Sequence, residues 1–437
     1  MGLALDLVVH KTKHYLRSYQ SSVKLAGLRA FSFLFGEKIS AALAASTLEL
    51  IKSYPDAPTV LCLSRPLFSK DIIELTQRTH INYICINLHL LGHIQSAWLP
   101  KQLCQQTLYQ KHQTPEYQKY WCRAERFAAF LLKKISSFLV SNGLSGRIDA
   151  ILTGHIDYWQ GECVRLAAQH QKIPFLVLCR EHATLPIQQT RLRDYYREFK
   201  FQGDGVAVFG ESTKNIFCAS GACEQQNVWI TGAPRWDCWK QPLSSPCKKS
   251  LITLLSYHNP AYGAPHSFAE VLEIFSSLAR SMADQDSVQF LVKAKGVEDQ
   301  REIQRMLNVT SRNLRVAHQM SLKDIFTHSR LVIGFNSIAL IEALFTEARV
   351  VLPYWSDACK TDDELTFAPS RDPGVAFAQS PEQLVAYINT FSNTDEVMSE
   401  QEHQARQLTL NRLIHFPSGC SSSEKVEQFL NHYIISR

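Results

Sequence analysis

Residues 331–354 read LVIGFNSIALIEALFTEARVVLPY, a strand, a turn, a helix and a second strand in close succession. Leu331-Val332-Ile333 is a short apolar run ending at Gly334, bounded by the polar pair Asn336-Ser337. Asn336 or Ser337 stands where a helix N-cap belongs. The apolar residues from Ile338 onward recur at helical spacing, with Glu342 about a turn and a half inside. Arg349-Val350-Val351-Leu352-Pro353 then returns to a strand pattern. Strand, helix and strand joined this tightly form the repeating unit of a parallel α/β sheet. Glycine lets a ligand approach the backbone, and a capping position presents N–H groups at the positive end of a helix dipole. Gly334, Asn336 and Ser337 are therefore candidate anion-binding residues, and Glu342 is a candidate donor-binding residue beside them. A well-capped structural turn has the same pattern, so the stretch decides the fold before it decides a ligand.

The alternation continues on both sides. In the second half, strands are predicted at 251–255, 289–292, 314–316 and 375–377, with helices at 267–281, 299–307, 321–328, 337–347 and 381–391 and a mostly helical tail over 402–434. In the first half, strands are predicted at 59–63, 83–86, 149–153, 174–178, 205–209 and 228–231, with helices at 70–78, 121–140, 157–170 and 211–219. Residues 88–120 are polar, Gln-rich and irregular, as a lid or an insertion is. Between the halves, Pro234, Pro242, Pro246, Ser244-Ser245 and Lys248-Lys249 make a linker composition. The expected division is a helical N-terminal segment over 1–55, a Rossmann-like domain over 56–236, a linker over 237–249 and a second Rossmann-like domain over 250–437.

Composition sets the class. The 437 residues are 45% apolar and 20% charged, as in globular chains of two or three domains. Net charge is +6, without the Lys/Arg block of a nucleic-acid binder. A cleft for a phosphorylated ligand, or attraction to an anionic membrane, suits that balance better. His10, Lys11, Lys13, His14, Arg17, Lys24 and Arg29 form an early basic cluster that reads as a solvated helix face or as a surface touching anionic lipid. The 12 cysteines include no CxxC pair, which argues against zinc ribbons and disulfide frameworks. The most apolar stretch, Leu25 to Leu48, is interrupted by Arg29, Glu37 and Lys38, so no membrane span is expected. With no signal-peptide pattern at the N-terminus, a cytoplasmic location is expected, with peripheral contact at the inner membrane as the variant.

Several segments, taken in order, resemble one family. LVIGFNSIALIEALFTEARVVLPY resembles the C-terminal donor-site segment of GT-B glycosyltransferases. NVWITGAPRWD (227–237) is similar to a segment closing the N-terminal domain in bacterial surface-carbohydrate glycosyltransferases, CDP-glycerol glycerophosphotransferases and UDP-N-acetylglucosamine 2-epimerases. FLVKAKG (290–296) matches in part a segment that ends in His-Pro in the family, and FPSGCSSSEKVEQFL (416–430) resembles a helix near the family's C-terminus. The resemblance implies a GT-B fold, with two Rossmann-like domains facing each other across a cleft. It implies a nucleotide-sugar donor held by the second domain and a carbohydrate or glycolipid acceptor on the first, as in surface-polysaccharide or lipopolysaccharide synthesis. Transfer of an alcohol phosphate from a CDP-alcohol is the rival chemistry. A non-catalytic GT-B scaffold is the rival from another class. The absence of a His-Glu-Ala-Gly segment counts against 2-epimerisation.

The site residues follow from the same placement. Glu181 and His182 come after the strand at 174–178, at the carboxyl end where open α/β sheets bind ligands. An inverting transferase needs a base there, with Glu181 first and His182 second. His155 and Asp157, after the strand at 149–153, come next, with helix capping preferred for Asp157. Tyr257, His258 and Asn259 occupy the position where the family contacts donor phosphate, and His258 and Lys293 are assigned to that phosphate. Arg235 and Asp237 are expected to pair with each other or hold the linker. Ser321 is expected to cap its helix, with Asp324 at the third position. No cofactor and no metal site are expected: His10/His14 lacks a carboxylate partner, His89/His93 includes Gly92, and Asp362-Asp363-Glu364 reads as a solvated charge run. Asn308-Val309-Thr310 matches a glycosylation sequon without a secretory context.

Overall fold

The computed structural model describes residues 22–65, 68–104, 115–179, 186–239, 250–257, 264–285, 287–307, 311–393, 398–415 and 419–435. They fall into two compact units, one lying within 1–183, 190–237 and 415–437, the other within 184–189 and 238–414.

The first unit is built on seven strands: β1 (Glu49–Lys52), β2 (Thr59–Ser64), β3 (Asn82–Asn87), β4 (Ala150–Thr153), β5 (Phe175–Leu178), β6 (Gly205–Val208) and β7 (Val228–Ile230). Their order across the sheet is β1-β3-β2-β4-β5-β6-β7. Every pair is parallel except β1 with β3. The helices are α1 (Ser22–Ala45), α2 (Phe68–Arg78), α3 (Leu88–Gln95), α4 (Pro115–Ser141), α5 (Glu162–His170), α6 (Pro186–Tyr196) and α7 (Glu211–Ala219). Strand β2 shows why both faces are covered. Alternate side chains point to opposite faces, so Leu61 and Leu63 join Phe127, Leu131 and Ile135 of α4, while Val60 and Cys62 join Phe68, Ile72 and Leu75 of α2.

Two expectations change here. The segment 1–55 is not helical throughout, because α1 stops at Ala45. The Ser46 and Thr47 hydroxyls donate back to the carbonyls of Leu43 and Ala44, each at 2.8 Å, and β1 follows as an exposed antiparallel edge. Residues 88–95 are not irregular either. Asn87 caps α3, its Oδ1 accepting from the backbone N–H of His89 at 2.8 Å and of Leu90 at 3.2 Å. Leu88, Leu91 and Ile94 of that helix enter the core.

The second unit carries six parallel strands, β8 (Leu251–Leu255), β9 (Gln289–Lys293), β10 (Leu314–Ala317), β11 (Ser329–Ile333), β12 (Arg349–Pro353) and β13 (Ala376–Ala378). Their order is β10-β9-β8-β11-β12-β13. Six helices connect and cover them: α8 (Pro265–Ser281), α9 (Val297–Met306), α10 (Leu322–His328), α11 (Ala339–Ala343), α12 (Pro381–Asn393) and α13 (Glu400–Leu413). Phe268 and Phe275 of α8 pack on Phe290 and Val292 of β9. Ser321 caps α10 as expected, accepting from the Asp324 N–H at 3.1 Å.

The last helix, α14 (Ser422–Ile435), belongs to the first unit, so the expected second domain over 250–437 loses its tail. Val426, Phe429 and Leu430 bury against Val60, Leu152, Leu176 and Ala207. Gly205 of β6 leaves room for Tyr433, whose ring would lie 2.5 Å from a Cβ placed there. An amphipathic helix presents one apolar stripe, and its sequence does not name the sheet that covers it. Among the described residues no helix is long and apolar enough to cross a membrane.

Candidate functional site

In an open parallel sheet the strand order reverses at one point, and the carboxyl ends of the two strands there diverge to leave a crevice. In the first unit that point lies between β2 and β4. Arg65 follows β2, His89 follows β3 and His155, Asp157 and Tyr158 follow β4. Nδ1 of His155 lies 2.5 Å from Oδ1 of Asp157, and the Tyr196 hydroxyl donates to Oδ2 at 3.3 Å. Both members of the His–Asp pair are buried, at 9% and 3% exposure. The rings of Tyr158, Tyr196 and Phe217 surround the imidazole with centroids 5.5, 6.5 and 6.2 Å away.

Burial, with the Asp157 charge beside it, pushes the Tyr196 phenol far above its usual value and Tyr195 up to about 12. Both tyrosines therefore remain neutral. With Asp157 ionised, its carboxylate only accepts, so the short contact belongs to the Nδ1–H tautomer of His155, which carries its basic lone pair on Nε2. A buried carboxylate holding imidazole in this tautomer stabilises the imidazolium that forms when Nε2 takes a proton. Asp157 was expected to cap a helix; it orients a histidine instead. Arg65 stacks over Tyr158, 4.6 Å from the ring centroid, and its Nε–H donates to Nε2 of His89 at 3.2 Å. That engagement removes the lone pair that the His89/His93 spacing would have offered a metal. Among the described residues no group of three or more His, Cys, Asp or Glu side chains is placed to hold a metal ion.

In the second unit the reversal lies between β8 and β11. A pocket at these carboxyl ends is lined by Tyr257, Phe335, Asn336, Tyr354, Lys360 and Phe377, among others. Tyr257 and Phe335 stack at 5.6 Å with planes 10° apart, and Nζ of Lys295 lies 5.3 Å from the Tyr257 centroid. The two rings stack on each other, and the cavity beside them is small, about 20 Å³, with Lys360 in its wall.

The expected donor residues fare differently. Asn336 clamps the neighbouring loop, donating to the Glu364 carbonyl at 3.1 Å and accepting from the Thr366 N–H at 2.6 Å. Ser337 accepts only weakly, from the Ala339 N–H at 3.3 Å. The helix beyond it, α11, has only five residues, too short for the anion site that the capping pattern suggested. It ends early because the Thr346 hydroxyl donates to the Ala343 carbonyl at 2.9 Å, while Arg406 takes the carbonyls of Thr346 and Ala348. Gly334 is required by packing, since a Cβ there would lie 2.8 Å from Cδ2 of Leu340. Glu342 is half-buried in α11. The Lys293 ammonium donates to the carbonyls of Ala294 at 2.8 Å and His318 at 2.7 Å, so it ties β9 to the end of β10. Lys360, which the sequence reading did not select, lines the pocket, and Lys295, also not selected, lies over the Tyr257 ring.

Arg235 and Asp237 each have partners elsewhere. The Arg235 guanidinium lies over Phe209 and Trp236 and reaches Oδ2 of the buried Asp71 at 3.4 Å. Asp237 caps α14. Asp362-Asp363-Glu364 folds into a short 3-10 turn closed by a Thr361–Glu364 capping box. Glu181, His182, His258 and Asn259 lie outside the described residues, as do His10, His14 and Asn308.

No protein-family profile and no curated protein sequence matches the chain. Solved structures following a similar path include the S. aureus protein MnaA with UDP, at 12% identity and a TM-score of 0.48, over 86% of this chain and 97% of that one. UDP-GlcNAc 2-epimerase from Neisseria meningitidis bound to UDP-GlcNAc gives 12% and 0.47, over 86% and 99%. Os79 from O. sativa, in complex with UDP and deoxynivalenol-3-glucoside, gives 14% and 0.47, over 86% and 100%. Likenesses this distant assign neither an activity nor a ligand to this chain.

Proposed function

We propose that the chain is a GT-B glycosyltransferase that moves a sugar from a nucleotide-linked donor to a hydroxyl of a carbohydrate or glycolipid acceptor. The observation that carries this reading is the buried His155–Asp157 pair at the sheet's reversal point. Nε2 of His155 takes the acceptor proton as the acceptor oxygen bonds to the anomeric carbon. The bond from that carbon to the donor phosphate breaks, and the nucleotide leaves with the electron pair. Asp157 stabilises the imidazolium, and Tyr196 holds the second carboxylate oxygen. In the second unit the nucleoside is assigned to the carboxyl ends of the strands beside Tyr257 and Phe335, where Lys295 and Lys360 stabilise the leaving phosphate. Glu181 and His182, two and three residues after Cys179 in the chain beyond β5, are proposed to contact the acceptor.

The resemblance of residues 227–237 to surface-carbohydrate enzymes supports a polysaccharide or lipopolysaccharide acceptor, and a place on the cytoplasmic face of the inner membrane goes with it. The test is a panel of CMP-, UDP-, GDP- and dTDP-sugars incubated with the protein and glycolipid extract, reading release of the nucleotide. Release that disappears in His155→Ala is the expected result. Nucleotide binding without turnover of any donor identifies a scaffold, and release of CMP from a CDP-alcohol identifies the rival chemistry.

A further inference from the structure

Helix α1 carries three consecutive large apolar side chains in solvent: Phe33 at 65% exposure, Leu34 at 74% and Phe35 at 52%. Consecutive helical residues are about 100° apart, so the three project around much of the helix as a convex ridge. Gly36, at φ 75°, breaks the helical path directly after them. Helix α4 packs beside α1, with Arg123 and Arg126 reaching Glu37 at 2.7 and 3.3 Å. One turn beyond Arg126, Phe130 is a third exposed ring, at 39%.

Among the described residues, the charged side chains exposed on α1 and α4 are all basic, while the acidic Glu37 and Glu125 are half-buried and paired. Arg29 and Lys38 flank the ridge on α1, and Arg126, Lys133 and Lys134 stand exposed on α4. Glu37, within the same patch, is already held by Arg123 and Arg126. A protein partner would need a groove matched to a convex ridge. A fluid interface accepts such a shape without one, and long basic side chains reach its headgroups while their stems lie on the acyl boundary.

We infer that Phe33, Leu34 and Phe35 insert into an anionic lipid bilayer surface, with Arg29, Lys38, Arg126, Lys133 and Lys134 bound to its headgroups. The inference stands on residues outside the proposed transfer site, so failure of one leaves the other intact.

The test is co-sedimentation of the full chain with phosphatidylcholine vesicles and with vesicles containing about one-third phosphatidylglycerol. The three ridge residues are exposed, so Phe33→Ser/Leu34→Ser leaves the core untouched, which a thermal melt of the variant checks. Binding to the anionic vesicles is expected, falling more than tenfold in that variant. Lys133→Gln/Lys134→Gln is expected to lose about fivefold per cation removed, and high salt to weaken wild-type binding by screening. Equal binding of the ridge variant and wild type overturns the inference, as does equal binding to neutral and anionic vesicles or no binding to either. A concentration-dependent dimer that the ridge substitutions dissolve, without vesicle binding, assigns the ridge to a second copy of the chain and also overturns it.

Discussion

The carboxylate of Asp237 closes the N-terminus of the helix that begins at Ser422, accepting from the backbone N–H of Ser422 at 2.9 Å and from that of Ser423 at 2.7 Å. The Ser423 hydroxyl adds a third bond at 2.7 Å. Asp237 is 1% exposed, so nothing in solvent substitutes for it. This one side chain ties the end of the first unit's main segment to the chain's last helix.

Asp237→Ala is therefore expected to destabilise the first unit by about 2–4 kcal/mol, since it strands buried donors formerly bound to a charge. Urea unfolding followed by the fluorescence of Trp229, which contacts Phe429 of α14, measures it. A loss under about 0.5 kcal/mol, typical of a surface change, shows that the cap is not needed.

Gly205→Ala probes the same interface from the sheet side. The new methyl meets the Tyr433 ring, so α14 or β6 has to shift, at a cost of about 1–3 kcal/mol. A second substitution, Tyr433→Leu, is expected to recover part of that loss.

Asp157→Asn tests the chemistry. The amide keeps the shape but permits the wrong imidazole tautomer and removes the charge facing the imidazolium. The transfer rate is expected to fall on the order of 10²–10⁴-fold, with nucleotide affinity unchanged by calorimetry. A near-normal rate moves the base to Glu181 or His182, which Glu181→Gln and His182→Ala then separate.

Donor contacts are separable by lysine. Lys295→Ala and Lys360→Ala are each expected to weaken nucleotide binding about threefold to tenfold. Lys293→Met is expected to leave affinity alone and to lower stability by about 1–3 kcal/mol through the released carbonyls of Ala294 and His318. The opposite ranking in calorimetry and melting places the phosphate at Lys293.

Asp357 gives a pH signature. Burial acts to raise its pKa, but the Ser267 hydroxyl, the backbone N–H groups of Ser267 and His266, and the His266 charge outweigh it and hold it below the ordinary aspartate value. A carboxylate depressed in the folded state contributes stability that is complete above the unfolded pKa, about 3.9, and is lost as pH falls through the lower folded value. The stability difference between wild type and Asp357→Asn is thus expected to be constant near neutrality and to shrink below about pH 4. A difference that is flat down to pH 3 or below (roughly one unit under the free aspartate value) removes Asp357 from the acid response.

Short-range patterns in the sequence carried most of the element order. Val60-Leu61-Cys62-Leu63 and Leu331-Val332-Ile333 are apolar on both faces, and that is possible only for a strand covered on both sides. Ser321 three residues before Asp324 marked its own helix start. His155 and Asp157 were visible as polar residues after a strand, because the ends of parallel strands are where such residues gather. Their partnership was not visible, nor was the Tyr196 bond to Asp157 from 39 residues away, since a tyrosine in a helix has no local signature of what its hydroxyl meets. The two roles read from capping grammar also changed. Asn336 turned to the loop at 364–366 and Asp157 to a histidine, because a polar side chain near a helix start binds whichever donor the tertiary structure brings nearest. The stripe of α14 likewise fits any apolar sheet face. Only the meeting of Tyr433 with Gly205 and of Asp237 with Ser422 and Ser423 decided which sheet it covers.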